Sequence, residues 1–243
     1  MMNYCIINGK KSTMVKGLMI QALPPIIKPL IRSKIEEIDG RDGDIITNLG
    51  YASYDREMSI GLFGDYDIGE VIRYFDAEGD VIFSNELDKV YHFKILNQIN
   101  FERLGRFKTA KVVFHVEPFK YPSTDDTLTL NGSAESKNAY LTNYGNVNAK
   151  PIIEIIGCPS YMSLNLNNHL MYIDSPAYTH IIIDIEKQNA YYVAVGSRPY
   201  ANRVISGDPY ADFVVEPNGL DMNHFKWTGN CTSIKIKNMT RWI

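Results

Sequence analysis

The stretch from Asn143 to Gly157 constrains the fold of this chain more than any other. It begins with Asn143, Gly145 and further asparagines, residue types that accept positive φ and bond to their own backbone, so it predicts a turn. Pro151 then fixes φ at the entry to Ile152–Ile156, an apolar run that predicts a strand, because proline is tolerated where a strand begins but not inside a central one. We therefore expect a domain to have its first strand here.

The segment before this strand, residues 124–137, is polar, acidic and almost free of large apolar side chains, which is typical of a linker. We therefore predict two domains, residues 1–132 and residues 133–243. A chain of 243 residues is long enough for two domains of ordinary size, each able to bury its own core.

The composition is that of a globular protein, with 45% hydrophobic and 22% charged residues. The formal net charge of −3 gives neither half a basic surface that would neutralise phosphates, so we expect no stable binding of nucleic acid.

The apolar runs are short, and we expect neither a signal peptide nor a membrane span. The three widely spaced cysteines, Cys5, Cys158 and Cys231, favour reduced thiols of a protein made in a cytoplasm over a disulfide framework or a zinc ribbon.

The first half has strand patterns and one helical pattern. Tyr54–Phe63 alternates apolar and polar residues, which predicts a strand. In Asp67–Phe75 the apolar residues change to helical spacing, and Asp67 followed by Glu70 resembles a capping box, so we predict a helix there. The sequence thus indicates a mainly β chain with one helix.

Two stretches of the first half predict hairpins. The pairs Asp39-Gly40 and Asp42-Gly43 lie between apolar flanks and predict a tight hairpin tip; a metal loop is the less favoured alternative, because its ligands are too few. Residues 90–101 and 107–117 predict a hairpin longer than one core requires, which we expect Pro118 and Pro122 to end. Such a hairpin would leave unpaired strand edges, which serve as joints in assemblies.

The second half consists of short strand patterns that recur about every ten residues between turn signals, without a helical period, which predicts a β-sandwich. Trp227 has two interpretations. It could stack on a sugar ring in a binding module, but a tryptophan of the sandwich core is the favoured interpretation.

No pattern in the chain indicates catalysis, a metal site or a cofactor. The five histidines share no metal-ligand spacing, and no nucleophile elbow or zinc-protease motif occurs. The carboxylate pairs Asp125/Asp126 and Asp184/Glu186 favour solvated or hairpin roles over acid–base work. We therefore predict a protein that is not an enzyme.

An ordered set of landmarks across nearly the whole chain resembles the distal tail proteins of siphophages that infect Gram-positive bacteria, or a prophage copy of one. The landmarks are Pro24-Pro25, Gly40–Gly43, the helix before Gly79–Ser84, Val113–Tyr121, Asn143–Gly157, Ile182–Ile185, Glu216–Gly219 with Asn223, and Arg241–Ile243. The chain departs from the family where Pro217-Asn-Gly replaces a typical Pro-Gly, so the geometry of that turn stays open.

The resemblance implies a baseplate hub component of the virion, made in the host cytoplasm and located at the tail tip. The first domain would close into a homo-hexameric ring with a channel for DNA, and the second would be a galectin-like sandwich. The partners implied are the tail tube protein and a tail-associated fibre or tail-tip protein, with a receptor-binding protein as a further candidate, and no membrane. The alternative function is a carbohydrate-binding adhesin that acts through the galectin-like domain.

We expect the ring interface to use the hairpin tip and the long hairpin, because both would leave groups without a partner in a single subunit. The candidate interface residues are Asp39, Arg41, Asp42, Phe101, Phe107 and Val113.

Overall fold

The chain divides into two units, one of residues up to Ser123 and one of Thr124–Trp242. We describe them from a computed structural model, which covers residues 2–104, 107–217 and 223–243. The division lies before the boundary that we predicted after residue 132. The reason is that the strand Leu128–Asn131 pairs with Ser233–Lys237 of the second unit.

The first unit is built on an eight-stranded sheet with the order β2-β1-β7-β8-β10-β6-β3, in which β9 also pairs with β10. The strands β4 and β5 form a separate two-stranded hairpin. The strands in the described part of this unit are β1 (Cys5–Ile7), β2 (Lys10–Lys11), β3 (Leu18–Ala22), β4 (Ile31–Glu36), β5 (Ile45–Tyr51), β6 (Tyr54–Leu62), β7 (Glu78–Phe83), β8 (Lys89–Ile95), β9 (Glu102–Leu104) and β10 (Phe107–Pro122).

The predicted strand and helix of the first half are confirmed. In β6 the inward residues Met58, Ile60 and Leu62 are buried, as the alternation requires. The helix α1 (Ile68–Phe75) begins after Asp67, whose side chain accepts a hydrogen bond from the Gly69 N–H at 2.8 Å. A short 3₁₀ helix, Ser12–Met14, lies between β2 and β3.

The long hairpin differs from its prediction in two ways. The strand β10 lies inside the sheet and pairs with β8 on one side and with β6 on the other, so it is not a free edge. It also continues to Pro122, because the pairing with β8 shifts register between Val116 and Lys120. Pro118 lies in this irregular segment, where a strand tolerates the loss of a ladder N–H.

The second unit is a β-sandwich of two five-stranded sheets, as predicted. Their orders are β11-β20-β13-β16-β17 and β12-β19-β14-β15-β18. The strands described are β11 (Leu128–Asn131), β12 (Asn138–Leu141), β13 (Ile152–Ile156), β14 (Tyr161–Leu166), β15 (His169–Asp174), β16 (His180–Asp184), β17 (Asn189–Tyr192), β18 (Ile205–Gly207), β19 (Asn223–Trp227) and β20 (Ser233–Lys237), with 3₁₀ helices at Asn202–Val204 and Tyr210–Asp212.

The first strand of the second unit is β11, not the strand after Pro151 that we predicted. The segment taken for a linker therefore contains a strand, because Leu128 and Leu130 alternate and pack against the core of the unit. Trp227 belongs to that core, as favoured above: it is 4% exposed and its indole N–H donates to the Gly132 carbonyl at 3.1 Å. Of the Pro217-Asn-Gly turn, the residues after Pro217 belong to the range 218–222, which lies outside the described residues.

The predicted turn before β13 is held by one buried side chain. The Oδ1 atom of Asn143 accepts hydrogen bonds from the N–H groups of Gly145 at 2.8 Å and Arg241 at 3.3 Å. Its Nδ2 atom donates to the carbonyls of Val147 at 2.8 Å and Val215 at 2.9 Å. A Cβ atom added at Gly145 would lie 1.7 Å from the Arg241 carbonyl oxygen, so only glycine fits.

We predict that Asn143→Ala lowers the free energy of unfolding by about 2–4 kcal/mol, because it leaves several buried backbone groups without their partner. Urea denaturation followed by tryptophan fluorescence measures the change. Asn148→Ala, at an exposed position of the same turn, is the matched control and should leave the urea midpoint unchanged. Equal midpoints for both variants would contradict the role given to Asn143.

Candidate functional site

The hairpin of β4 and β5, residues 31–51, extends from the first unit without a core beneath it; we call it the arm. Every residue of β4 is exposed, as is most of β5. In the described part of the chain, no residue of the arm belongs to either buried apolar cluster. Among the described residues, the contacts that hold the arm are its own ladder, its root and the edge-to-face contact of the Tyr51 ring with Phe119 at 5.6 Å.

The register gives the arm one apolar face. Ile35 lies opposite Ile46, and Ile31 lies opposite Tyr51, so these four side chains share a face. Ile35 and Ile46 are 58% and 63% exposed. An isolated two-stranded hairpin is marginally stable in water, and an exposed apolar surface of this kind marks an interaction site. The apolar face of the arm is thus suited to contact with another molecule.

The tip of the arm confirms the predicted turn and is acidic. Gly40 and Gly43 have φ of 81° and 78°, which the two Asp-Gly pairs supply. The candidate residues Asp39, Arg41 and Asp42 all lie exposed at this tip, in a segment that also carries further carboxylates. An excess of negative charge at the end of an apolar hairpin favours oriented association with a basic or polar surface.

A buried arginine holds the root of the arm. The Arg56 guanidinium donates from Nη2 to the carbonyl oxygens of Pro24 at 3.3 Å and Pro25 at 3.0 Å, and the Asn85 amide also donates to Pro24, at 3.2 Å. These carbonyls belong to the connector that leads into β4. At the end of that connector, the Ala52 N–H donates to the Leu30 carbonyl at 2.8 Å and closes the base of the arm.

Arg56 is part of a buried network with two cations and one carboxylate; we call it the charge cluster. Glu86 lies 3.6 Å from Arg56 Nη1 and 3.2 Å from Lys120 Nζ, and it accepts a hydrogen bond from the Tyr91 hydroxyl. The guanidinium is 4.8 Å from the ring centre of Phe83 and 4.3 Å from that of Tyr91, distances of cation–π contacts. All three charged side chains are at most 6% exposed.

Sequence reasoning missed the charge cluster, since its members are far apart in the chain and none belongs to a motif. The cluster also acts on a neighbouring tyrosine: burial raises the pKa of Tyr54 above its usual value, and the Arg56 charge partly opposes that shift. A charged arginine inside the strand Tyr54–Leu62 was the one available signal, because a buried charge requires a partner.

The other three candidate interface residues lie along the chain from just before β9 into β10. Phe101 is half-buried and packs against the core of the first unit. Phe107 begins β10 opposite Leu104, but its side chain lies outside what the structure describes. Val113 donates its N–H to Asn97 Oδ1 at 3.2 Å and lines a cavity of about 540 Å³ with Asn97 and Glu57 among others.

The carboxylate pairs singled out in the sequence have structural contacts. Asp184 accepts a hydrogen bond from the Lys187 N–H at 3.0 Å, and Glu186 pairs with Arg241 at 2.7 Å. Asp126 accepts from the backbone N–H groups of residues 238 and 240 at 3.0 and 3.1 Å.

Among the described residues, no group of three or more His, Cys, Asp or Glu side chains is placed to hold a metal ion. No helix there is long and apolar enough to span a bilayer.

Comparison with known proteins gives one informative likeness. No family model matches the chain, and no curated protein does. The crystal structure of the Dit protein of phage SPP1 superposes with a TM-score of 0.65 over 100% of both chains, at 14% sequence identity. The chain has the fold of a Dit hub protein.

This Dit fold agrees with the resemblance found in the sequence and with the predicted mainly β fold class. The SPP1 protein is described as a paradigm of the hub of the adsorption apparatus in phages that infect Gram-positive bacteria. Two structures of the phage P2 baseplate, in its activated conformation with Ca or Sr, also match 98% of both chains, at 9% and 10% identity with TM-scores of 0.46.

We predict that Glu86→Gln lowers the free energy of unfolding by about 3–5 kcal/mol, because it leaves two buried cations without their counter-charge. Urea denaturation measures the loss. Glu78→Gln removes an exposed carboxylate that pairs with Lys94 and is the matched control, with no expected change in the midpoint. A Glu86 variant as stable as its control would show that the cluster does not depend on this carboxylate.

Proposed function

We propose that this protein is a structural component of a phage virion that forms a hexameric ring at the distal end of the tail. The ring would join the tail tube protein to a tail-tip or fibre protein and leave a channel through which DNA passes. The observation that carries the proposal is the correspondence of the whole chain with the fold of a hub protein. The ordered sequence landmarks support the same assignment.

The arm suits a contact between subunits. A head-to-tail contact that repeats around a closed ring gives each subunit one donor surface and one acceptor surface. In such a ring the apolar face formed by Ile31, Ile35, Ile46 and Tyr51 would be covered by the next subunit. The charge cluster fixes the root from which each arm departs, so every arm would reach its neighbour at the same angle.

The tip residues Asp39, Arg41 and Asp42 and the second group, Phe101, Phe107 and Val113, remain our candidates for the ring interface. The two groups would be contributed by the two sides of one head-to-tail contact. In that arrangement the acidic tip would orient the approach toward the second group.

A hub protein whose channel lets DNA pass would not be expected to be basic. A strongly positive lining would bind phosphates and slow the passage of DNA, whereas this chain has a net charge of −3. We accordingly propose that the protein does not bind nucleic acid stably, has no catalytic activity and needs no cofactor. A receptor-binding protein is a further candidate partner, and the galectin-like half would lie toward it.

We predict that the purified protein, alone or with its tail neighbours, forms rings visible by negative-stain electron microscopy. Ile35→Asp and Ile46→Asp should each shift the protein to monomers in light scattering, because a charge replaces buried contact area. Ile72→Asp, at an isoleucine of α1 that is 48% exposed, is the matched control and should leave rings intact.

Two results would overturn the proposal. One is a protein that stays monomeric at high concentration and also in the presence of the tube and tail-tip proteins. The other is a loss of rings in the Ile72 control equal to that in the arm variants, since the arm would then have no specific part in assembly.

A further inference from the structure

The outer face of one sheet of the sandwich carries a group of polar and aromatic side chains that no role described above explains. Along β12, β19 and β14 the inward residues, such as Leu141, Phe225 and Leu164, are buried in the core. The alternating residues therefore lie on the outer face. We call five of them the lysine patch: Asn138, Tyr140, Asn165, His224 and Lys226.

The register brings these five side chains together. Lys226 on β19 lies opposite Asn138 on one neighbouring strand and Asn165 on the other, so both asparagine side chains are its cross-strand neighbours. In the next outward-facing row, Tyr140 lies opposite His224, and their rings meet edge to face with centres 4.6 Å apart. The patch is thus one cation between two amides, beside an aromatic pair.

The polar groups of the patch are available to a ligand. Lys226 is exposed and forms no ion pair with any described residue, and no member of the patch is a carboxylate. Asn165 accepts a hydrogen bond from the Asn168 N–H at 3.3 Å through Oδ1, which leaves its amide N–H groups directed elsewhere. Tyr140 is 55% exposed. The patch therefore offers one positive charge and amide groups that can both donate and accept hydrogen bonds.

A second aromatic pair extends the same face. Tyr161 and Tyr172 stack with ring centres 6.4 Å apart, and Tyr161 is 54% exposed. Exposed rings with amide and hydroxyl groups between them provide apolar platforms and directional hydrogen bonds, which a polyhydroxylated ring requires. The lysine patch itself has no aliphatic side chain, whereas the centre of a protein interface is usually apolar.

We propose that the lysine patch binds an anionic saccharide, a polymer that carries phosphate or carboxylate groups between its sugar or polyol units. The acidic group would pair with Lys226, the two asparagine amides would bind hydroxyls, and Tyr140 would stack on a ring. Trp227, the residue that first suggested sugar binding, is buried and takes no part. This inference does not rest on the proposed ring, because all five residues belong to the second unit.

The test uses the full-length protein and purified polyglycerol-phosphate teichoic acid as the probe, with neutral dextran and single-stranded DNA as comparison polymers. Biolayer interferometry at low salt should show binding to the teichoic acid that exceeds binding to either comparison polymer and weakens as salt rises. Lys226→Gln and Tyr140→Ala should each reduce affinity about fivefold or more. The first variant loses a charge-assisted contact and the second a stacking contact. Lys226→Arg should retain binding.

Lys187→Gln is the matched control, because it removes one exposed lysine of the same unit at the β16–β17 turn and should leave affinity unchanged. Electron microscopy of each variant shows whether its oligomeric state matches the wild type, so that a change in avidity is not mistaken for a change at the patch. Absence of teichoic acid binding, equal loss in the Lys187 variant, or stronger binding to DNA would each overturn the proposal, whether or not rings form.

Discussion

The contact between the Arg56 guanidinium and the carbonyls of the Pro24-Pro25 connector is the constraint on which the architecture of the first unit depends. Pro24 and Pro25 have no backbone N–H group, so at these two positions the backbone can form hydrogen bonds only through its carbonyl oxygens. Arg56 binds both of them from inside the core. Burying that charge is unfavourable in itself, and Glu86 and two aromatic rings compensate for it.

The fixed root sets the direction in which the arm leaves the first unit, since the arm has no core of its own. Backbone pairing alone would leave a two-stranded hairpin free to change direction, and among the described residues only Tyr51 at the base makes a ring contact outside the hairpin, with Phe119. The charge cluster restricts that freedom at the base, while the apolar face stays uncovered. The buried charges thus lie in the packed part of the first unit, whereas the exposed apolar surface lies on the arm.

The sequence predicted those elements whose residues carry a local signal. The helix after Asp67 has a cap and a regular apolar spacing, and the sandwich has recurrent alternation; both are confirmed. The strand Leu128–Asn131 was missed because a short, polar edge strand looks like a linker until its partner is known. The extension of β10 through Pro118 was missed because a bulge depends on the neighbouring strand. The charge cluster could not be predicted, since its contacts join residues from four separate strands and one loop.

The position of β20 has a consequence for how the protein is made. This late strand lies between the edge strand β11 and β13, so β11 lacks its partner strand until residue 237 has left the ribosome. The last strand of the first unit ends at Pro122, and domains generally fold as units with the N-terminal one first. The arm would then be exposed before the sandwich is complete, and charged residues beside an exposed apolar strand oppose its aggregation.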